Sequence, residues 1–163
     1  MSNLQHPSVM RVRAWLADAG SPAEVIELNE TARSAQDAAD SIGTELGSIV
    51  KSLVFAVAGQ PVMALVAGDR QCDTKALAAV LGLDGKAKRA DADMVRDATG
   101  FAIGGVAPVA HERDLPMAID TSLGRFETVY AAAGHPYCVF ATSLAELARL
   151  TGATMTEEIG KTA

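Results

Sequence analysis

Ile49-Val50-Lys51-Ser52-Leu53-Val54-Phe55-Ala56-Val57-Ala58 is the longest β-branched, apolar run in the chain. Its length and side-chain type predict a strand rather than a helix. A Gly59-Gln60 break followed by Pro61 to Ala67 makes it the first arm of a hairpin. On a period of two, Lys51 shares a face with Leu53, Phe55 and Val57, while Val50, Ser52, Val54 and Ala56 form the other face. Both faces are apolar enough to be buried, so this strand belongs at the centre of a sheet. A lysine near the start of such a strand has two readings. It snorkels its ammonium to the rim, or it holds a cation at the edge of a cleft to meet a phosphate or carboxylate.

Outward from this hairpin the chain alternates short helices and strands. Val9, Val12, Trp15, Leu16 and Ala19, after Pro7-Ser8, predict an amphipathic helix with Ser8 as its cap and Gly20 at its end. Ala23 to Leu28 reads as a strand and Asn29 to Thr31 as a turn. Ser34 caps a second helix to about Ser41, stopped by Gly43. Gly68 to Cys72 reads as a loop, Asp73 or Thr74 caps a helix ending at Gly82, and Asp91 caps another ending at Gly100. Leu115 to Asp120, Thr128 to Ala132 and Tyr137 to Ala141 predict strands. Ser143-Leu144-Ala145-Glu146 is a capping box opening a last helix that ends at Gly152. About seven strands and five short helices imply an α+β fold, with a mixed, mainly antiparallel sheet, partly barrel-like, flanked by short helices. The 163 residues fit a single domain with its core at about 9–152, and the polar stretch after Thr156 is expected to fray.

Gly100-Phe101-Ala102-Ile103-Gly104-Gly105-Val106-Ala107-Pro108-Val109-Ala110-His111 is the second stretch that matters. Adjacent glycines permit positive φ and close approach, and Pro108 extends the residue before it. Such a segment turns several backbone N–H groups into one concavity suited to an anion or a polarised carbonyl oxygen. Taken alone it also fits a tight turn between a helix and a strand.

Composition excludes several classes. A net charge of −6 and a pI near 5.0 argue against coating duplex nucleic acid, so no DNA partner is expected. Between Arg70 and Arg89 the cations Arg70, Lys75, Lys86, Lys88 and Arg89 outnumber the acids; this region is a solvated face or an RNA backbone contact. Cys72 and Cys138 stand alone, which disfavours a disulfide framework or a zinc site; no metal and no organic cofactor are implied. With no signal-peptide pattern at the N-terminus and no apolar run of spanning length, the expected location is cytoplasmic. P-loop, dinucleotide and G-x-S-x-G fingerprints are missing from the sequence.

With Val50-Lys51-Ser52-Leu53-Val54-Phe55 followed by Gly104-Gly105-Val106-Ala107-Pro108, the chain resembles the YbaK family, the editing domains associated with prolyl-tRNA synthetase. The resemblance runs from about Val9 to Thr151 and takes in Gly68-Asp69-Arg70, the Ala98 to Gly105 run and Asp120-x-Ser122-Leu123. It implies a free-standing trans-editing enzyme that hydrolyses the ester joining a wrong amino acid to the 3′ end of a tRNA, with tRNAPro the expected carrier. In that reading Lys51 holds the phosphate of the terminal nucleotide. Gly104, Gly105, Val106, Ala107 and Pro108, the G-x-x-x-P loop, hold the aminoacyl group through backbone dipoles, and water oriented by the substrate's ribose hydroxyl attacks. Ile103, His111, Asp120, Ser122 and His135 complete the expected substrate-binding set. His111 positions substrate or hydrogen-bonds structurally; His135 guards the pocket or serves a turn; Asp120 and Ser122 steady the loop. Many relatives carry glycine at the position of Ala110 and serine or proline at that of Ala107. The implied partner is the acceptor end of a mischarged tRNA, with prolyl-tRNA synthetase as a second. Two other readings stay open: a non-catalytic tRNA-, synthetase- or nucleic-acid-binding regulator of the same fold, and a hydrolase for a free small ester or amide.

Overall fold

A computed structural model describes residues 2–29 and 34–162. The expected turn at Asn29 to Thr31 lies largely outside the described residues. The chain runs α1 (Pro7–Asp18), β1 (Val25–Glu27), α2 (Ala35–Ile42), β2 (Ile49–Val57), β3 (Gln60–Ala67), β4 (Arg70–Cys72), α3 (Thr74–Val80), β5 (Ala87–Arg89) and α4 (Ala92–Thr99). It continues through β6 (Met117–Asp120), β7 (Val129–His135), β8 (Cys138–Thr142), α5 (Leu144–Thr151), β9 (Thr154–Thr156) and β10 (Gly160–Thr162). The main sheet has the order β1-β8-β7-β2-β3-β6-β9, with β5 also on β2, and β10 pairs with β4 in a separate ladder. This α+β fold is a mixed, mainly antiparallel half-barrel flanked by five α-helices among the described residues. Among the described residues, only β2 with β7, β3 with β6 and β6 with β9 run parallel.

β2 and β3 are buried on both faces. Val50, Val54, Met63 and Leu65 pack with Val9, Val12 and Leu16 of α1 and with Phe101 and Phe140. Phe55, Val57, Val62, Ala64 and Val66 pack on the opposite face with Leu77 and Ala78 of α3. The helix ends follow the sequence with one correction. Ser34, Asp73, Asp91 and Ser143 each accept a backbone N–H in the first turn, but α1 begins at Pro7 with His6, not Ser8, as its cap. Proline fits there because the first helical N–H has no partner within the helix anyway.

Three further differences are physical. Arg70 to Cys72, read as loop, is a short strand paired with β10, and Ala87 to Arg89, given no element in the sequence, pairs with β2. The C-terminal segment does not fray. Ile159 is fully buried against the Phe55 and Leu77 side of the sheet, and its carbonyl accepts from Asp73 N–H at 2.7 Å. One buried apolar side chain and a pair of strand edges outweigh the polar composition of the rest. The hairpin also turns one residue earlier than expected. Val57 pairs with Gln60, so Ala58 and Gly59, at φ 50° and 81°, form a two-residue turn.

Two consecutive positive φ values are the signature of a type I′ turn, in which asparagine is preferred at the first position. Ala58→Asn is expected to raise Tm by about 2 °C without touching the rest of the molecule. A thermal melt followed by circular dichroism checks this; an unchanged or lower Tm refutes the turn assignment.

Candidate active site

A cleft of about 340 Å³ opens beside β2, and the pairing of that strand explains where. Along one edge β2 is matched to β3 from Val50 to Val57. Along the other, β7 covers only Ile49 and Val50, and β5 covers only Phe55 to Val57. Between those partners the stretch from Lys51 to Val54 has no strand beside it, apart from Ala90 N–H donating to the Val54 carbonyl at 3.2 Å. The cleft fills this gap. Lys51, Ser52, Arg89, Ile103, Gly104 and Val106 line it, together with apolar groups that include Val50, Val54 and Val139.

Lys51 is half-buried, and its Nζ donates to the Arg70 carbonyl. Desolvation holds its pKa below the ordinary lysine value, while Asp69 and Asp120 act in the opposite direction. The turn that supplies the Arg70 carbonyl is itself clamped, since Arg125 donates to both Asp69 oxygens at 2.7 and 2.9 Å. Ser52 has a buried hydroxyl without a hydrogen-bond partner, at the lining of the cleft. A buried polar atom in that state is where a ligand atom or an ordered water is expected.

The glycine-rich loop forms the facing wall. Gly104 has φ 102°, a conformation that side chains other than hydrogen rarely adopt. Gly105 is glycine for another reason: a Cβ there would lie 2.8 Å from the His135 Cα and backbone nitrogen. Its N–H donates to the Ala102 carbonyl at 3.2 Å. Ala107 and Pro108 are buried behind Val106. His111 donates from Nε2 to the Ala107 carbonyl at 2.7 Å, and burial lowers its pKa.

The other expected substrate contacts lie elsewhere. His135 backs the loop at Gly105, its Nδ1 accepting from Tyr137 N–H at 3.1 Å and its ring 5.0 Å from that of His6. Asp120 is buried and accepts from Ala67 N–H, Ser122 N–H and the Ser122 hydroxyl. It ties β6 to the end of β3. None of His111, His135, Asp120 and Ser122 lines the cleft. Two polar lining residues were not singled out as site residues in the sequence. Ser52 carries no motif signal beyond its place after Lys51, and Arg89 was read only as one of the cations in a region that is a solvated face or an RNA backbone contact.

Known proteins place this architecture. The model of the aminoacyl-tRNA editing domain matches residues 29–150. The chain belongs to the aminoacyl-tRNA editing domain family. It is 34% identical over 128 residues to the uncharacterized protein YwhH of Bacillus subtilis, spanning 78% of this chain and 80% of that protein. It is 29% identical over 103 residues to EbsC of Enterococcus faecalis, a candidate Cys-tRNA(Pro)/Cys-tRNA(Cys) deacylase, spanning 62% of each. Among solved structures, a candidate trans-editing enzyme for prolyl tRNA synthetase superimposes with a TM-score of 0.87 at 38% identity, covering 95% of this chain and 98% of that one. Against a proline--tRNA ligase of Maridesulfovibrio salexigens the match is 34% over 74 residues, only 13% of that enzyme. No helix among the described residues is long and apolar enough to cross a membrane.

Membership in the editing family puts weight on the loop wall. Gly105→Ala forces a methyl group against the backbone of His135, an overpacking that typically costs about 1–3 kcal/mol. The expected result is a Tm lower by several degrees than that of wild type, and an equal Tm would show that the wall yields. The histidine predicts a pH effect. The folded pKa of His111 is below its ordinary 6.5, so the folded state binds fewer protons than the unfolded one just below that value. Stability is therefore fully present above about pH 6.5 and falls as pH drops through the window beneath it. Urea melts between pH 7.5 and 5.5 should show this loss, and His111→Gln should reduce it, the lowered pKa of His135 contributing in the same direction.

Proposed function

We propose that this chain is an aminoacyl-tRNA deacylase that clears a small wrong amino acid from tRNA, with tRNAPro its expected carrier. The observation that carries the reading is the cleft. One wall offers a half-buried lysine amine, an unpartnered serine hydroxyl and an arginine, and the opposite wall is a glycine loop.

In this reading Lys51 and Arg89 engage the phosphate of the terminal nucleotide, a task suited to cations at a partly desolvated rim. Ser52 meets a ribose hydroxyl. The ester carbonyl lies against the loop, where the N–H groups of Gly104 and Val106 face the oxygen that becomes negative; Gly105 N–H is engaged with Ala102. Water forms the new bond to the carbonyl carbon, the ester C–O bond breaks, and the ribose oxygen leaves with the proton that the water gives up. The products are a free amino acid and an intact tRNA. Positioning and oxyanion stabilisation carry the rate, and one preorganised donor is typically worth about 10²–10³.

The lining also bears on the substrate. Val50, Val54, Val106 and Val139 give the cleft of about 340 Å³ an apolar part that suits a short, apolar side chain beside a terminal ribose. Alanine, cysteine and 2-aminobutyrate fit better than a residue with a hydroxyl to satisfy. Separation between side chains one methylene apart is expected to be only about 1–3 kcal/mol.

The test is deacylation of tRNAPro charged in turn with alanine, serine, threonine, cysteine, 2-aminobutyrate or proline. Wild type is expected to cleave one or two apolar or thiol-bearing species and to spare prolyl-tRNA. Lys51→Ala, with an unchanged fold by circular dichroism, should lose about 10- to 100-fold in kcat/KM, the loss expected for charge-assisted hydrogen bonds. Full activity in that variant removes Lys51 from the mechanism. Tight tRNA binding with no cleavage of any species points instead to a binding module.

A further inference from the structure

The glycine loop is held by a residue far from it in sequence. Arg11, on α1, spends its guanidinium on the two ends of the loop. Nη2 donates to the Thr99 carbonyl at 2.5 Å and to the Ala110 carbonyl at 2.7 Å, and Nε donates to Ala110 at 3.0 Å. The plane lies over the buried Phe101 ring with Cζ 4.2 Å from the ring centre, and Nη1 reaches the exposed Glu112 at 3.2 Å. Behind it, Glu112 N–H donates to Thr99 and Arg113 N–H to Ala98, closing the neck of the loop.

We propose that Arg11 is the positioning residue that sets the conformation of the Gly100 to His111 loop, and through it the rate of the chemical step; the catalytic half rests on the editing reading. Two features give the contact this role rather than that of a surface tie. Ala110, whose carbonyl takes two of the bonds, is held at φ 65°, an uncommon backbone state for alanine that persists only when its surroundings enforce it. The contact also reaches the catalytic wall. Phe101, under the guanidinium, meets His111 edge-on at 6.4 Å between ring centres, and His111 donates to the carbonyl of Ala107, next to Val106 in the cleft. Guanidinium, ring, imidazole and carbonyl form one packed series from the neck of the loop to its tip.

The chemistry requires arginine. A planar cation with five donors in fixed directions can serve two carbonyls and stack on a ring at once, whereas a lysine ammonium has no plane to stack. Gly100 completes the fit, because a Cβ there would lie 2.5 Å from Arg11 Nη1.

The test uses the full chain as Arg11→Gln, Arg11→Lys and Arg11→Ala, with Glu112→Gln as the control that removes only the exposed pair. Three readouts are taken: Tm, kcat and KM on the mischarged tRNA that wild type cleaves fastest, and amide hydrogen exchange at residues 104–107 against residues 63–66 of β3. In Arg11→Gln the β3 amides should stay protected while those of the loop exchange about tenfold faster or more. Its kcat should fall by about tenfold or more, with KM within about twofold, because the oxyanion donors move and the phosphate contacts do not. Arg11→Lys should not rescue kcat, and free guanidinium ion should restore part of it in Arg11→Ala. Glu112→Gln should match wild type. An unchanged kcat in folded Arg11→Gln, or unchanged loop exchange, overturns the proposal. Should Arg11→Gln not fold, Arg11→Lys carries the same comparison. Inactivity of wild type on every tRNA would sink the editing reading, and loop exchange would still decide whether Arg11 sets the loop.

Discussion

The site depends on a mismatch in strand pairing. β2 has a full-length antiparallel partner on one edge and two short partners of opposite direction on the other, so its second edge is covered only at its ends. A parallel neighbour and an antiparallel one cannot continue into each other, and the strand between them is left with a gap. In most sheets such an exposed edge invites unwanted pairing. Here it is recessed between β7 and β5 and faced by the loop, which makes it a cleft instead. Because both faces of β2 are packed, the residues in the gap sit on one of the stiffest elements of the fold, and a site on a strand is more exact than one on a loop.

The same constraint accounts for the electrostatics. Lys51 lies on the face of β2 that it shares with Phe55 and Val57, so its stem is surrounded by core and its amine emerges among Asp69, Arg70, Cys72 and Asp120. A half-buried cation needs a partner, and the Arg70 carbonyl supplies one while leaving the charge uncancelled. The nearest carboxylate of that turn is engaged elsewhere, Asp69 with Arg125. An acidic protein thereby keeps a local positive rim, from Lys51 to Arg89, beside the cleft.

Much of this was legible in the residues, because the determinants were local. The Ile49 to Ala58 strand, the hairpin and the caps at Ser34, Asp91 and Ser143 follow from side-chain type and spacing. What was not legible depends on distant partners. β4, β5 and β10 are three residues each, too short for any periodicity, and exist because each borders a strand the sequence cannot place beside it. Ile159 read as part of a polar tail because its neighbours are polar; only the packed sheet supplies the pocket that buries it. The cleft residues divide in the same way. Lys51 and Gly104 stood out by chemistry, whereas Ser52 and Arg89 acquire meaning only from the gap in pairing. His135 and Gly105 were read separately, yet each explains the other through one backbone contact.

The two cysteines and the two histidines behind the loop are poorly set up for a covalent mechanism. Burial raises the Cys72 thiol to about 11 and does the same to Cys138, so neither is a thiolate near neutral pH. Burial lowers the pKa of His111, and its Nε2 proton is committed to the Ala107 carbonyl. Serine is present in the cleft at Ser52, but a serine nucleophile needs a general base, and neither His111 nor His135 lines the cleft to serve as one. What remains in working order is the backbone: a loop shaped by Gly104, wedged at Gly105 and drawn together at its neck. An aminoacyl ester is already activated, so a site that only orients water and receives developing charge is sufficient for it. On the proposed reading, the rate then depends on how well the loop holds its shape, which is a property of packing rather than of any one reactive group.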